Sequence, residues 1–474
     1  MKALNKEILR LALPSILANI TVPLVGIVDL AIAGHLTAGE AATLIGGVSI
    51  GSMLFDLLYW NFGFLRVGTG GMTAQAWGRG DRHEMASLLC RGVGLSFLIA
   101  FFMLLLQWPF VKAVFLFVDC SPQVRVLAEQ YFFIRIWAAP ASLSLMAFRG
   151  WFIGMQDSVS SMVTDLIINC VNIVASLVLS HYIGFAGIAT GTVVAQYTGL
   201  IFALCVVLVK YRRTTFQGFG LADIRASYRG RELRKFMRIN GDFFIRSLCM
   251  VAVYIGFTTL SARYGDLMLA TASIMMKLLL LFSYFTDGFA YAGEALTGRF
   301  FGAADKPMVR KTVSHTFVWS MGIGLGFVLV YVLGTGPLLR LMTSDASVIE
   351  ACRLFFVWLL PMPLIGCAAF TWDGIFVGAT ASVPMRDSAI AAVIAFFVCW
   401  LVGISLLDVV RPGLADLPSP VAGATAREVT AIHILLVAYF AHLAARTVWL
   451  TVRYRPAVLS RVPEPEIIQD NELL

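Results

Sequence analysis

The sequence predicts an all-α integral membrane protein with twelve transmembrane helices in two six-helix bundles. Three observations predict this fold class: an apolar composition, apolar runs of bilayer length, and an internal repeat. Of the 474 residues, 59% are hydrophobic and 14% are charged, and the mean hydropathy is +0.83. Soluble domains carry roughly 25% charged residues. This chain has too little polar surface for a water-soluble fold.

Twelve apolar runs are long enough to cross a bilayer, since about 17–25 residues suffice for a helix. The runs lack the alternation of barrel strands, so each predicts a helix. They cover residues 11–36, 45–70, 91–117, 127–150, 159–182, 184–209, 236–262, 267–292, 312–338, 348–375, 386–407 and 429–452.

The positions of the basic residues predict the orientation. If the N-terminus is inside, the inner segments hold most of the cations, above all the stretch 210–238. The outer loops then hold only Arg125, Arg263, Arg340, Arg411 and Arg427. Moving the frame by one helix destroys this bias, so the positive-inside rule places both termini in the cytoplasm. The net charge of +8 is a topology signal, and no nucleic-acid partner is predicted. We expect a multi-pass protein of a bacterial cytoplasmic (inner) membrane, and a monomer.

Two pairs of motifs recur at one spacing. "GWFIGMQDSV" (150–159) matches "GIFVGATASV" (374–383), and "WGRGD" (77–81) matches "FGAAD" (301–305), each pair 224 positions apart. Both motifs fall at equivalent places on inner turns. An even number of helices in each half makes the repeats parallel, a plan that suits alternating access in transporters.

The repeat divides the chain into four parts. These are an N-terminal six-helix bundle (1–210, the N-lobe), a basic cytoplasmic linker (211–235), a C-terminal six-helix bundle (236–452, the C-lobe), and a cytoplasmic tail (453–474) that is predicted to be disordered.

Ionisable and polar residues inside membrane helices are functional candidates. In the first run, Pro14 and Pro23 can bend a helix that carries Asn19 and Asp29. In the fifth run, steps of four, three and four residues put four polar side chains on one helix face. We expect them to line an N-lobe cavity; they are Asp165, Asn169, Asn172 and Ser176.

The C-lobe offers a second polar set. Its cavity candidates are Asp242, Arg246, Lys277, Tyr284, Asp287, Tyr291, Glu294 and Asp373. The alternative is mutual neutralisation, in which Arg246 and Lys277 pair with Asp242 and Asp287 as structural buried ion pairs.

Asp29 differs because its own helix has no basic residue. A buried carboxyl of this kind can bind and release a proton as its surroundings change. Competition between a proton and an organic cation for one carboxylate is a negative coupling between two ligands, which is the simplest basis for antiport. We therefore predict that Asp29 is the proton-coupling residue.

Several motifs in order resemble the multidrug and toxic compound extrusion (MATE) transporters, most of all the DinF-like branch. The motifs are "LALPSILANITVPLVGIVDLAIAGHL", "GGMTAQAWGRGD", "RIWAAPASL", "DGFAYAGEA" and "DGIFVGATASVPMRDS". The resemblance implies a V-shaped antiporter that exports cationic or amphipathic toxic compounds, driven by protons or sodium.

The resemblance also assigns roles to single positions. The family's first-helix acid falls on Asp29, its proline on Pro14, and its fifth-helix asparagine on Asn172. Members often carry an aspartate one turn further on, where this chain has Ser176. That departure removes one carboxylate, so a two-acid cation site would need Asp165. Sodium-coupled relatives place acids in helices seven and ten, where Asp242 and Asp373 lie, but Lys277 would oppose a cation there. Proton coupling is therefore expected.

Three other functions compete with export. A flippase for lipids or lipid-linked precursors needs a cationic cavity, which Arg66, Arg135, Arg246 and Lys277 could supply if they face inward. An enzyme is not predicted, because nucleophile-elbow, zinc-protease and phosphate-loop motifs are missing from the sequence. A channel is disfavoured because no selectivity-filter motif is visible. The scattered cysteines and histidines predict neither a metal site nor a cofactor.

Overall fold

The computed structural model describes residues 2–36, 40–116, 118, 120–411, 414, 419, 421 and 423–464. Eighteen α-helices lie in this part of the chain. They are α1 (Lys2–His35), α2 (Ala41–Phe62), α3 (Phe64–Arg79), α4 (Arg82–Leu105), α5 (Gln107–Val114), α6 (Pro122–Arg135), α7 (Ala139–Gly154), α8 (Ser158–Ile183), α9 (Ala186–Val206), α10 (Leu221–Ser227), α11 (Gly230–Ala262), α12 (Gly265–Leu281), α13 (Ser283–Gly302), α14 (Lys306–Met342), α15 (Ala346–Phe355), α16 (Met362–Gly378), α17 (Ser382–Val410) and α18 (Ala426–Ala457).

The helices form twelve spans, and the predicted fold class is confirmed. Eleven spans are long and apolar enough by themselves, and α15 with α16 makes the twelfth across a bend of 55°. Four spans are built from two helices each: α2 with α3, α6 with α7, α12 with α13, and α15 with α16. These broken spans are the second and fourth of each half, so the breaks repeat with the fold.

The turns repeat the backbone geometry at the spacing found in the sequence. Gly80 and Ala304 have positive φ, 71° and 58°, at the turns after α3 and α13. Asp81 and Asp305 follow, and each side chain accepts a hydrogen bond from the first turn of the next helix, at 2.9 Å. Such N-caps satisfy amide groups that a helix start leaves unpaired. The Gly-x-x-Asp motif is therefore a helix-stop and helix-start signal used twice.

The two lobes meet at the end of the molecule that carries these turns, which we call the terminal face. Gly78 of α3 packs on the backbone carbonyl of Arg299 in α13, and Gly302 of α13 packs on the carbonyl of Gln75 in α3. The two contacts are related by the repeat. Small residues let membrane helices approach this closely. One hydrophobic core spans both lobes at this face, and a second core lies within the C-lobe.

The linker differs from the predicted 211–235 segment. A π-helical turn, Val207–Tyr211, extends α9, and α11 already begins at Gly230. Between them, α10 is held against α4: Arg91 donates to the carbonyl of Ser227 at 2.9 Å, and Tyr228 donates to that of Cys90 at 2.5 Å.

The tail also departs from the prediction in its first part. α18 continues to Ala457, and Val458, Leu459 and Val462 are buried against the core. These apolar side chains keep the chain packed beyond 453, where we expected disorder. The rest of the predicted disordered tail, 465–474, lies outside the described residues.

Candidate functional site

A cavity of about 390 Å³ lies between the two lobes. The N-lobe side is formed by the junction of α2 and α3, and the C-lobe side by α11, α13, α16 and α18. Its charged lining residues are Arg66, Arg246, Asp287, Glu294, Asp373 and Arg446. A volume of this order accommodates a small organic molecule.

One ion pair joins the lobes beside the cavity. Arg66 of α3 donates to Glu294 of α13 at 3.0 Å, and its guanidinium lies 4.4 Å from the centroid of the Tyr291 ring. Glu294 is 1% exposed, and its Oε1 has no hydrogen-bond partner among the described residues. Gly70 leaves the space this carboxylate fills, since a Cβ there would meet Oε1.

A second charged group lies within the C-lobe. Arg246 of α11 and Arg446 of α18 both donate to the same oxygen of Asp373 in α16, the first at 2.5 Å. Their side chains are 18% and 3% exposed, and that of Asp373 is 15% exposed. The predicted pairing of Arg246 with Asp242 or Asp287 is therefore wrong. Helix spacing placed Arg246 on a charged helix face, but its ion-pair partner, Asp373, lies on another helix, α16.

Asp287 lines the same cavity, on α13. Within the part of the chain that the structure describes, its carboxyl has neither a salt bridge nor a hydrogen bond. Tyr291, one turn further along α13, also lines the cavity.

Three predicted C-lobe candidates lie elsewhere. Asp242 accepts from Ser382 at 2.7 Å and from Arg386 at 2.8 Å, at the start of α17 near the terminal face. Lys277 is exposed and is not among the cavity-lining residues. Within the described residues it forms a salt bridge with neither Asp242 nor Asp287. Tyr284 does not line the cavity either; its backbone carbonyl accepts from Asn19 at 3.2 Å.

Asp29 lies in α1 and is 6% exposed. Its Oδ1 has no hydrogen-bond partner among the described residues. The nearby cation is Arg135 at the end of α6, whose charge acts on Asp29 through space. That guanidinium lies over the ring of Phe55 at 4.7 Å and donates to the Tyr131 hydroxyl at 3.0 Å. Asp29 thus keeps a free carboxyl oxygen.

The polar face of α8 is held by neighbouring side chains. Asp165 pairs with Arg149 of α7 at 2.5 Å. Asn169 donates to Thr21 of α1 at 2.6 Å, which ties α8 to α1. The two remaining members bond to α9: Asn172 donates to Thr192 at 3.0 Å, and Ser176 donates to the carbonyl of Ile188 at 3.3 Å.

Both predicted bending residues of α1, Pro14 and Pro23, lie inside the helix, which runs unbroken from Lys2 to His35. Each proline removes one backbone hydrogen bond from the helix.

Sequence reasoning missed two residues of the C-lobe site, Arg446 and His442. Both are buried on α18, at 3% exposure each, and line the cavity. A cation and a histidine in the last apolar run were the available signals. Several exposed cations lie close to the end of this run, and sequence alone did not distinguish the buried residues from them.

A duplicated bundle with a charged cavity between its halves is the plan of a secondary membrane transporter. The MatE family model matches residues 14–178 and 243–401. The chain is 32% identical to DNA damage-inducible protein F of Escherichia coli over 396 residues, 83% of this chain and 84% of that protein. It is also 23% identical to human multidrug and toxin extrusion protein 1 over 426 residues, covering 87% of this chain and 71% of that one.

Solved structures agree in fold. A MATE crystal structure in the bent conformation matches with a TM-score of 0.80 at 16% identity, covering 97% of each chain. The Vibrio cholerae MATE transporter VcmN in the bent form matches with a TM-score of 0.77 at 15% identity, covering 97% of this chain and 98% of that one. The chain belongs to the MATE family of multidrug and toxin extrusion transporters. It is a multi-pass membrane protein of the DinF type.

Proposed function

We propose that this protein exports cationic and amphipathic toxic compounds in exchange for protons, by alternating access of the inter-lobe cavity. The observation that carries this proposal is the burial of the Asp29 carboxyl without a hydrogen-bond partner for one of its oxygens. Asp29 is a buried carboxyl within a membrane span, and its Oδ1 has no hydrogen-bond partner among the described residues. Intramembrane carboxyls of this kind mark ion and proton pathways.

Three of the other predicted site carboxyls have cationic partners, which supports a proton rather than sodium; Asp287, which has no such partner among the described residues, is the exception. Asp165 is neutralised by Arg149, Asp242 by Arg386, and Asp373 by two arginines. A proton can bind Asp29 without breaking such a pair, whereas a metal cation needs several oxygen ligands. Because position 176 is a serine and Asp165 is paired with Arg149, α8 offers no free carboxylate among the described residues.

The same proposal orients the molecule. The terminal face carries the turns and the linker that are rich in lysine and arginine, so the positive-inside rule makes it the cytoplasmic face, with both termini inside. Contacts between α3 and α13 close the cavity on that face. Export then requires these contacts to separate so that the compound can enter from the cytoplasm.

The test is transport by purified protein in liposomes loaded with a fluorescent lipophilic cation. A proton gradient and a sodium gradient are imposed separately on wild type and on Asp29→Asn. We expect proton-driven movement in wild type and none in the variant. Asp56→Asn is the matched control, because Asp56 is an exposed carboxyl that also feels the charge of Arg135. Proton-driven transport by a well-folded Asp29→Asn protein would disprove the coupling role.

One observation favours a second function, a flippase for lipids or lipid-linked precursors. Arg66 and Arg246 do line the cavity, together with Arg446, and could receive a phosphate head group. The other two basic residues predicted for this role, Arg135 and Lys277, do not line the cavity. Dithionite quenching of fluorescent lipids in the same liposomes distinguishes the two functions. Rapid loss of inner-leaflet protection that requires Arg246 would favour the flippase.

A further inference from the structure

We propose that the C-lobe half of the cavity is a binding site for a zwitterionic amphipath, whose anionic group binds Arg246 and Arg446 and whose cationic group binds Asp287. This inference deepens the proposed function, because it names the polar groups of the exported compound.

The anion half of the site rests on an excess of donors. Arg246 and Arg446 come from different helices and meet at one oxygen of Asp373. Each guanidinium presents several N–H donors in a planar fork, and within the described residues each gives a single hydrogen bond, to Asp373. A structural ion pair usually satisfies both partners. Here two cations share one carboxylate, and Arg246 is 18% exposed at the cavity.

The cation half of the site rests on Asp287. Its carboxyl lines the same cavity and has no ion pair or hydrogen bond within the described part of the chain. The charges of Arg66, Arg246 and Asp373 all act on it through space. The remaining cavity cation, Arg66, is held by Glu294 at 3.0 Å. Two arginines share the single carboxylate of Asp373, and the carboxyl of Asp287 has no cationic partner among the described residues. The positive charge of the first group and the negative charge of the second therefore balance within one cavity.

Much of the rest of the lining is apolar or aromatic, which sets the class of ligand. Phe243, Met250, Tyr254, Phe370 and Leu443 cover much of the wall. A ligand that fills about 390 Å³ would place a hydrophobic body against these side chains. Its charged ends would contact the two polar groups. A purely cationic compound would use Asp287 and leave the arginine donors without a ligand.

The experiment uses three fluorescent probes that share one pyrene body and differ mainly in charge: pyrenylalanine, its methyl ester and its N-acetyl derivative. The first is a zwitterion, the second a cation and the third an anion. Equilibrium binding to the purified full-length protein in dodecyl maltoside is followed by fluorescence anisotropy, without any ion gradient. We expect wild type to bind the zwitterion about tenfold more tightly than either derivative, a difference of about 1.4 kcal/mol.

Two variants and one control separate the halves of the site. Arg246→Gln leaves Asp373 paired with Arg446, and should weaken zwitterion binding about tenfold, to the level of the ester. Asp287→Asn should weaken it to the level of the N-acetyl derivative. Lys277→Gln removes a cation from the neighbouring α12 outside the cavity and should change none of the three affinities.

Equal binding of all three probes by wild type would overturn the inference, as would an equal loss of all three in Arg246→Gln. The probes bind at equilibrium without an ion gradient, so failure of the proton coupling would not be mistaken for failure of this site. A zwitterionic lipid head group shares the same chemistry. Displacement of pyrenylalanine by dihexanoyl phosphatidylethanolamine would assign the site to lipid, and no displacement would assign it to free amphipaths.

Discussion

At the scale of single residues, Asp157 shows how one carboxylate connects the start of α8 to the π-helical turn that follows α9. Its side chain caps α8 by accepting from the amide of Ser160 at 3.3 Å. It also accepts from Lys210 at 2.7 Å and from the Tyr211 hydroxyl at 2.6 Å, where the linker begins. Burial alone would raise the pKa of Asp157, but these hydrogen bonds and the Lys210 charge lower it below its ordinary value of 3.8.

We expect Asp157→Asn to lower the free energy of unfolding by about 1–2 kcal/mol, because it weakens a helix cap and a charged hydrogen bond. A carboxyl with a lowered pKa in the folded state stabilises above its unfolded pKa, and this stabilisation is lost as pH falls through the folded pKa. The difference between wild type and variant should therefore be complete at pH 7 and shrink below about pH 4.

Thermal unfolding in detergent at pH 7 and at lower pH measures this effect. Asp305→Asn is the control, since Asp305 caps α14 in the same way without a salt bridge among the described residues. If the two variants lose equal stability at pH 7, the contacts with Lys210 and Tyr211 contribute nothing.

The sequence identified most of the charged residues but not their partners. Asp287, Glu294 and Asp373 were predicted cavity residues, and all three line the cavity. Asp242 was predicted there as well, whereas Ser382 and Arg386 hold that carboxylate. Periodicity tells which side chains share a helix face, but partners on other helices depend on packing that a single sequence does not encode locally.

At the scale of elements, the repeat was the most informative pattern in the sequence. Both turn motifs and their spacing recur in the backbone, down to the positive φ of Gln156 and Thr380 at 61° and 50°. The breaks in the second and fourth spans of each half were not predicted, because both sides of each break are apolar. Hydropathy detects a span and does not detect a change of direction within it.

The repeat makes a prediction about two glycines. A Cβ at Gly150 in α7 would meet the carbonyl oxygen of Arg66, and one at Gly374 in α16 would meet that of Ala290. Since these contacts are equivalent, Gly150→Ala and Gly374→Ala should each destabilise the protein by about 1–3 kcal/mol through overpacking.

The measurement is thermal unfolding of the two variants beside Gly322→Ala. Gly322 lies within α14, and apart from the helix's own backbone an alanine methyl group at this position would meet no atom within 4 Å, so that change should be neutral or slightly stabilising. Unequal losses for Gly150 and Gly374 would show that the two lobes do not share the same packing tolerance.

At the scale of the whole molecule, the two lobes are held together by contacts that the proposed alternating access requires to separate. The Arg66 and Glu294 side chains are 20% and 1% exposed, whereas those of a second pair between the lobes, Arg299 and Glu7, are 31% and 43% exposed and lie further apart, at 3.4 Å. The repeat equivalents of Arg66 and Glu294 are Ala290 and Gly70, so this charge pair occurs once and breaks the symmetry. The more buried pair should therefore contribute more to holding the two lobes together.

We expect Glu294→Gln to favour separation of the lobes by about 1.5–3 kcal/mol, the usual contribution of a hydrogen bond to a charged group. Amide hydrogen exchange reports such opening directly. Exchange should accelerate roughly ten- to a hundredfold in the facing segments of α3 and α13, and stay unchanged in α4. Glu7→Gln breaks the exposed pair and should have little effect, because exposed ion pairs contribute about 0–1 kcal/mol. Equal exchange in both variants would mean that glycine packing between α3 and α13 closes the face without help from the buried charges.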